Sequence, residues 1–395
     1  MIPYKLSYNY KDLFKSPRIA LSGKKIWVFL IANLFGYASY WLLTYTSILI
    51  SGTSFNEALT LHGLYPSIQG YKLSVLSYIF FYSGILLWFI SNFLASAAVN
   101  RITLKQLKGN EFYSTTDSWN YVKHNWKSIT FPPIVILFII ILFIFFAWIF
   151  GLLGSIPYIG HLFISLPFPV YFFGSLFTIY SIFVLSTSIN LSPSIVSLYE
   201  EDTMGVVFQS YSITWSQPWR LLIYNSILFP IILFSFSVFS WFWLNSLGFI
   251  IFIFGHKLTL GNVFLNSSNY AINFVSPPLL IELISQFNFN FSLELSSFLL
   301  FPIFENINFI NPEISSPSFS GLILAIFYFL IGLSIFSYLI TVFSVGQAIM
   351  FIIFKMKSDD DNILERKDQE ELEDEKTEDS LDAMKNFLDN NENEE

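Results

Sequence analysis

The chain has 395 residues, of which 54% are hydrophobic, 20% are aromatic and only 12% are charged. Soluble domains carry about twice that share of charged residues, so an ordinary water-soluble fold is excluded. The formal net charge is -8 and there is no cysteine, which rules out disulfides, thiolate metal ligands and cysteine nucleophiles.

Long stretches without Asp, Glu, Lys or Arg recur along the chain, and the longest is 128–199. About twenty apolar residues cross a hydrocarbon core of roughly 30 Å, so this stretch alone is long enough for two crossings. Because lipid cannot satisfy open backbone groups, and the runs are continuous rather than alternating, we expect helices. The sequence predicts six spans, at 26–50, 73–98, 132–153, 168–191, 221–245 and 321–354.

The distribution of cations predicts how these spans are oriented. The first apolar run is too long for the core of a cleavable signal peptide, so we expect a retained span after a basic N-terminal segment, 1–25. The segments predicted on the other side, 51–72 and 246–320, contain only Lys72 and Lys257. Lys and Arg are instead concentrated in 1–25, 99–130, 192–220 and 355–357. The positive-inside rule therefore predicts an inner-membrane protein with both termini in the cytoplasm.

Two of the predicted inner segments, 110–127 and 200–220, share a pattern. Each begins with acidic and hydroxyl residues that can cap a helix, and each ends with Trp and a cation just before a span. This pattern is typical of an amphipathic helix lying at the membrane interface, and its recurrence also fits a two-span repeat. We expect these membrane-interface anchors: Trp27, Trp119, Trp126, Lys127, Trp215, Trp219 and Arg220.

Two connections on the predicted outer side are distinctive. The segment 154–170 is rich in Gly and Pro, and it predicts either a tight turn or a short re-entrant helix. The segment 246–320 is the sizeable external part of the membrane domain, and we expect it to lie against the membrane surface. Within it, 277–284 predicts an interfacial helix that begins at a proline pair.

The predicted membrane domain, 26–357, has no ionisable side chain inside its six spans. That argues against a carrier that couples transport to protons through carboxylates. The candidate interior polar residues are Asn190, Asn225 and Gln347. Such side chains either hydrogen-bond between helices, each bond contributing about 0.6 kcal/mol, or line a path for a substrate.

No set of side chains in the sequence predicts chemistry. The four histidines, His62, His124, His161 and His256, have no metal-ligand spacing, and no phosphate-binding loop or nucleophile elbow is present. We therefore expect no catalytic residues, no cofactor and no metal.

The last segment, 358–395, is strongly acidic and has little apolar content. A segment of this composition cannot bury a core, so we expect a disordered cytoplasmic tail. It is interrupted by Leu381, Met384, Phe387 and Leu388, a short helical stripe that could fold on a partner. The alternative is a tail that only increases solubility.

Several short motifs resemble those of an uncharacterised family of bacterial six-span inner-membrane proteins. The N-terminal F-K-S-P-R-I-A-L-S-G-K-K-I-W of 14–27 is similar to the family's opening. Further similar motifs are 156–160, 202–212, 217–220, 346–350 and 359–361. The resemblance implies a six-span fold and transfers no activity. More distantly, the chain resembles membrane portions attached to some glycerophosphodiester phosphodiesterases, whose catalytic metal-binding barrel has no counterpart here.

Taken together, the sequence predicts an all-α polytopic transmembrane helix bundle with interfacial amphipathic helices and a disordered acidic tail. We expect a non-enzymatic structural or accessory role, with the lipid bilayer and a cytoplasmic protein as partners and no nucleic acid. The alternative is a permease for a neutral or lipophilic substrate. A membrane-embedded lipid enzyme is the third reading, although it lacks an acid, base or metal set.

The predicted orientation can be tested with topology reporters. Fusions after Gly109 and Ser358 should score cytoplasmic, and a fusion after Asn290 should score external, because the cations lie on the side of the first two. Alkaline phosphatase and green fluorescent protein activities, measured on the same three fusions, check each other. An external score at Gly109 or Ser358 would contradict the orientation.

Overall fold

The computed structural model describes residues 6–68, 70–71, 73–156, 160–275, 319–372 and 376. These residues are 83% helical and contain no strand, which confirms the predicted all-α fold. Six of the helices are long and apolar enough to cross a membrane, as the sequence predicts.

The described residues form a 3-10 helix followed by eleven α-helices up to Ser358, and 369–372 are also helical. The 3-10 helix is Tyr10–Lys15. The α-helices are α1 (Ser16–Ala20), α2 (Gly23–Ile50), α3 (Phe55–His62), α4 (Val75–Leu107), α5 (Thr115–Gly154), α6 (Gly160–Ser165), α7 (Phe168–Tyr199), α8 (Thr203–Ser216), α9 (Pro218–Phe254), α10 (Asn262–Val275) and α11 (Phe319–Ser358). The six spanning helices are α2, α4, α5, α7, α9 and α11.

The spanning helices expose most of their apolar side chains. In the most apolar window of each, between 11% and 28% of the residues are buried within the protein. Large rings such as Phe138, Phe173 and Phe234 point outward. So much exposed apolar surface is stable only where lipid replaces water, so the chain is a multi-pass membrane protein.

The first aromatic motif does not form the separate interfacial helix that the sequence suggested. It makes the opening turns of α5, whose 40 residues extend for about 60 Å. Ser114 caps this helix by accepting a hydrogen bond from the Asp117 amide, and no helix-breaking residue follows before the span. The second motif is different, because Gln217 leaves helical geometry between α8 and α9. The two motifs of the proposed repeat therefore fold differently.

The connection between α5 and α7 is a turn that contains one short helix. α6 has six residues and is therefore about 9 Å long, which is too short to enter half of the hydrocarbon core and return. Gly160 packs directly on the carbonyl of Gly154, where an added Cβ would overlap that backbone. Residues 157–159 of this connection lie outside the described residues.

The predicted external segment begins later than expected, because α9 continues to Phe254. It then contains α10, which was not among the predicted helices. The predicted interfacial helix at 277–284 lies outside the described residues.

The chain divides into two compact units. The first unit consists of 1–16, 96–227 and 344–395, and the second consists of 17–95 and 228–343. In the first unit α5 packs against α7 and α8 around a small apolar cluster: Ile136, Ile140, Val184 and Val207.

In the first unit a hydrogen-bonded set of small polar side chains joins three helices. Nδ2 of Asn100 donates to Ser194 at 2.9 Å, and Oδ1 of Asn100 accepts from Ser344 at 2.8 Å. Asn100 thus links α4 to α7 and α11, and it does so without leaving its own amide unpaired.

In the second unit a buried asparagine joins α2, α4 and α11. Nδ2 of Asn33 donates to Ser337 at 3.1 Å, and its Oδ1 accepts from the indole of Trp88 at 3.1 Å. The indole can approach because Gly36, one turn later on α2, has no side chain. A Cβ at Gly36 would overlap the ring and lie 3.0 Å from the Cα of Trp88.

Replacing this glycine should destabilise the protein. We expect Gly36→Ala to lower the free energy of unfolding by about 1–3 kcal/mol, because neither a rigid indole nor a helix backbone can move aside cheaply. Gly332→Ala is the matched control, since nothing lies within 4 Å of a Cβ added there. In thermal unfolding measured in detergent, the control should have a melting temperature equal to or above that of the unsubstituted protein. Equal effects of the two substitutions would contradict the packing argument.

Candidate functional site

Three cations lie on one face at the end of α4, and we call Arg101, Lys105 and Lys108 the cation cluster. Their spacing of four and three positions places them side by side on the helix. Their side chains are between 0% and 9% exposed. Like charges at this spacing repel one another, and burial makes each charge costly unless an anion is near. The cluster therefore needs carboxylates.

The beginning of the acidic tail supplies them, and we call 358–372 the tail root. Nζ of Lys105 lies 2.8 Å and Nζ of Lys108 lies 3.5 Å from Oδ2 of Asp368. Nη2 of Arg101 lies 3.6 Å from Oδ1 of the same carboxylate. Asp368 is thus surrounded by the whole cluster, and Glu371 lies 2.8 Å from Lys108 beside it.

Glu370 bridges the first two cations. Its Oε2 lies 3.1 Å from Nη2 of Arg101 and 3.1 Å from Nζ of Lys105. Its Oε1 accepts a hydrogen bond from the hydroxyl of Tyr113 at 3.0 Å. Burial, together with the charge of Glu370, raises the pKa of Tyr113 above its ordinary value, so the phenol keeps its proton and remains a donor.

One carboxylate of the site comes from the membrane domain. Glu200 directly follows α7 and has a left-handed backbone with φ of 60°. This conformation costs about 1–2 kcal/mol in a residue other than glycine. Oε1 of Glu200 lies 2.9 Å from Nη1 of Arg101. Its Oε2 accepts a hydrogen bond of 3.0 Å from the backbone N–H of Gln369. A negative side chain is also unfavourable at a helix C-terminus, so these two contacts offset both costs.

Burial by itself would raise the pKa of Asp368. The hydrogen bond from Lys105 and the positive charge of Arg101 outweigh that effect, so the pKa of Asp368 lies below its ordinary value. The carboxylate is therefore ionised at neutral pH, as a central anion among three cations should be.

The tail root is held at a second point around Tyr199. Nζ of Lys355 lies 4.5 Å and the guanidinium of Arg366 lies 4.4 Å from the ring centre of this tyrosine. Its hydroxyl donates to Asp361 at 2.9 Å, and Asn362 accepts from the hydroxyl of Tyr8 at 2.8 Å. These cation–π and hydrogen-bonding contacts fix the chain between α11 and the cation cluster.

The expectation of disorder therefore does not hold for the tail root. The charge of the tail prevents it from forming a core in isolation, but cations elsewhere in the chain neutralise the charge of the root. The striped part of the tail around Leu381 lies outside the described residues, and its disorder stays a prediction.

The predicted interface anchors are mostly at the surface. Trp27 and Trp126 are about half exposed, and Nζ of Lys127 lies 5.9 Å from the ring centre of Trp126. Trp215 and Trp219 are more than 70% exposed. Among the remaining anchors the structure leaves Trp119 half-buried and Arg220 exposed. Their role as anchors stays a prediction.

The three candidate interior polar residues do not form a common groove. Nε2 of Gln347 donates to Oδ1 of Asn225 at 2.9 Å, so these two pair with each other. Nδ2 of Asn225 donates to the carbonyl of Leu221 on its own helix. Asn190 is half-buried, and no hydrogen bond between described residues joins it to the other two.

Within the described part of the chain, no group of three or more His, Asp or Glu side chains could hold a metal ion. Comparisons with protein-family models, with curated proteins and with solved structures found no match. The resemblance stated for 14–27 stays a prediction.

The cation cluster lies beyond the second predicted span, which ends at 98, so its cations contributed only to the predicted orientation. The missed signal is the spacing of Arg101, Lys105 and Lys108, which places three like charges on one helix face. A face of this kind at the end of a span needs an anionic partner, and the tail is the most acidic segment of the chain.

Neutralising the central carboxylate should release the tail root. We expect Asp368→Asn to weaken docking of the root by about 3 kcal/mol, because it leaves buried cations without their shared anion. The chain has no cysteine, so a spin label on Gln369→Cys, an exposed position, reports docking through its mobility. Asp360→Asn is the matched control, since it removes the same charge from an exposed side chain of the root. A label that stays immobile in Asp368→Asn would contradict the ion-pair account.

Proposed function

We propose that the protein is a non-enzymatic accessory protein of the cytoplasmic membrane. It holds the root of its acidic tail on its inner surface and offers the distal segment, 377–395, to a cytoplasmic protein. The observation that carries this proposal is the docking of Asp368, Glu370 and Glu371 in the cation cluster. A tail that served solubility alone would gain nothing from a defined attachment point.

The proposed orientation has support from the termini as well as from the cation count. The hydroxyl of Tyr8 donates to Asn362, so the N-terminal segment and the tail root lie together in the first unit. The described residues contain six spanning helices, and an even number of crossings favours termini on the same side of the membrane. With the basic segments inside, both termini are cytoplasmic.

Attachment to lipid is the second part of the proposed role. α8 buries Val206, Val207 and Ile213 and turns Phe208 and Trp215 outward, each more than 70% exposed. A helix with one packed face and one exposed aromatic face is suited to the headgroup region of the inner leaflet. It would hold the cytoplasmic part of the first unit at the membrane surface.

The permease alternative required a polar groove that joins Asn190, Asn225 and Gln347. Two of these side chains hydrogen-bond to each other, which favours helix packing over substrate contact. No observation on the described residues favours transport over the accessory role.

The distal segment carries the stripe of Leu381, Met384, Phe387 and Leu388 among acidic residues. An acidic amphipathic helix fits a partner groove that is apolar at its base and basic at its rim. The docked Asp368 limits how far the stripe can reach from the cation cluster, because only a short length of chain separates Asp368 from Leu381.

The proposed function can be tested by crosslinking in native membranes followed by quantitative recovery of partners. Truncation after Lys376 and the double variant Leu381→Ser/Phe387→Ser should both lose the proteins that the full chain recovers, because each removes the apolar stripe. Asn390→Ser/Asn391→Ser is the matched control in the same segment and should retain them. An identical set of crosslinked proteins in all four forms would overturn the role of the tail.

A further inference from the structure

We propose that the cation cluster is a binding site for a phosphate group, and that Asp368 of the tail root occupies it as a displaceable substitute. This inference concerns the root and α4, so it is independent of whether 377–395 binds a partner. The bound carboxylate is itself the first observation in its favour. The carboxylate of Asp368 is surrounded by the three cations of the cluster. Their nitrogen atoms lie 2.8, 3.5 and 3.6 Å from its nearest oxygen atoms.

The second observation is that the carboxylates leave the guanidinium incompletely satisfied. Nε and Nη2 of Arg101 are buried and have no hydrogen-bond acceptor of good geometry among the described residues, although Nη2 lies 3.1 Å from Glu370. Asp368 contacts Nη2 of Arg101 and both lysines, but Nε of Arg101 is left without an acceptor in the described part of the chain. A tetrahedral phosphate presents more oxygens, and paired oxygens match the fork of a guanidinium.

The balance of charge at the site also favours a phosphate group as the ligand. With the tail root docked, the three cations face four carboxylates, Glu200, Asp368, Glu370 and Glu371. With the root released, Glu200 alone remains against three cations. A phosphate near its dianionic form carries a charge of about -2, so it would balance the site.

The site is also organised before any ligand binds. The guanidinium of Arg101 lies 4.4 Å from the ring centre of Tyr121, and the hydroxyl of Tyr121 donates to the carbonyl of Val196 at 2.7 Å. Nη1 of Arg101 also contacts the carbonyl of Ser197 at 3.3 Å. These contacts come from α5 and α7 and not from the tail, so the arginine stays oriented when the root leaves.

Release of the root changes what the protein presents at its inner surface. A phosphate group in the cluster and the tail root cannot occupy the same place, so binding of one displaces the other. The phosphate could belong to a phosphomonoester headgroup in the inner leaflet or be free in the cytoplasm. Both sources share the chemistry that the cluster recognises, and an experiment can separate them.

The first experiment measures binding of inorganic phosphate to the full chain in detergent by calorimetry, at constant ionic strength set with chloride. The variant Asp368→Asn/Glu370→Gln/Glu371→Gln, which empties the site, should bind one phosphate per chain at least tenfold more tightly than the unsubstituted protein. Asp379→Asn/Asp382→Asn/Asp389→Asn removes the same charge from the distal tail and should bind as the unsubstituted protein does. Adding Lys105→Ala and Lys108→Ala to the first variant should reduce its affinity at least tenfold. This pair leaves Arg101 in place, so folding is easier to retain.

Three results of this experiment would overturn the proposal. Two of them are no saturable binding by the emptied variant and binding that survives removal of both lysines. Equal tightening in the distal control would overturn it too, because net charge alone would then explain the effect.

The second experiment follows the tail root itself with the spin label on Gln369→Cys. Phosphate should mobilise the label in the otherwise unsubstituted chain, and a label that stays immobile at saturating phosphate would overturn displacement. In nanodiscs, mobilisation by phosphatidate and not by phosphatidylcholine identifies a lipid headgroup as the source. Mobilisation by added phosphate in both lipids identifies a soluble source. Mobilisation by polyglutamate, with phosphate having no effect, would replace the proposal with a site for acidic peptides.

Discussion

The arrangement of the first unit depends on neutralising a buried arginine. Arg101 is fully buried at the end of a spanning helix, where an uncompensated charge would cost several kcal/mol. The charge of Arg101 is compensated by carboxylates from two separate segments. One is Glu200 at the end of α7, and the others belong to the acidic tail. Because these partners come from separate segments, one electrostatic requirement ties together α4, α7 and the tail root. The left-handed backbone of Glu200 is the local cost of meeting it.

The fold was predictable because lipid imposes a simple rule on sequence. About twenty apolar residues without charge make a span, and five charge-free runs, of which 128–199 holds two spans, supply the six spanning helices of the described residues. Helix ends were less predictable, because the rule marks where lipid ends and not where the helix ends. α4 and α5 have 33 and 40 residues, more than a hydrocarbon core of about 30 Å requires, so Arg101 belongs to a helix although it lies beyond the predicted span.

The candidate site was largely unpredictable from the same sequence, although each of its residues is visible there. A contact between Lys105 and Asp368 joins positions 263 residues apart, and nothing local in either segment names the other. Composition favours disorder for the tail because composition counts charge without its partners. What the sequence does contain is the spacing of the three cations, whose mutual repulsion requires an anion from somewhere. The pairing of Asn225 with Gln347 was one of the arrangements anticipated for the interior polar residues.

The position of the carboxylates in the chain has a consequence for biogenesis. The cation cluster leaves the ribosome early, whereas Asp368, Glu370 and Glu371 are translated after the last spanning helix of the described residues, α11. In the proposed orientation, the exposed cations oppose translocation of the end of α4 during synthesis, and thereby help to fix the topology while the later spans insert. The same charges acquire their counterions only when the polypeptide is complete. Membrane insertion and charge neutralisation are thus separated in time, and a nascent chain that terminates early would retain an unneutralised basic surface that quality-control proteases could recognise.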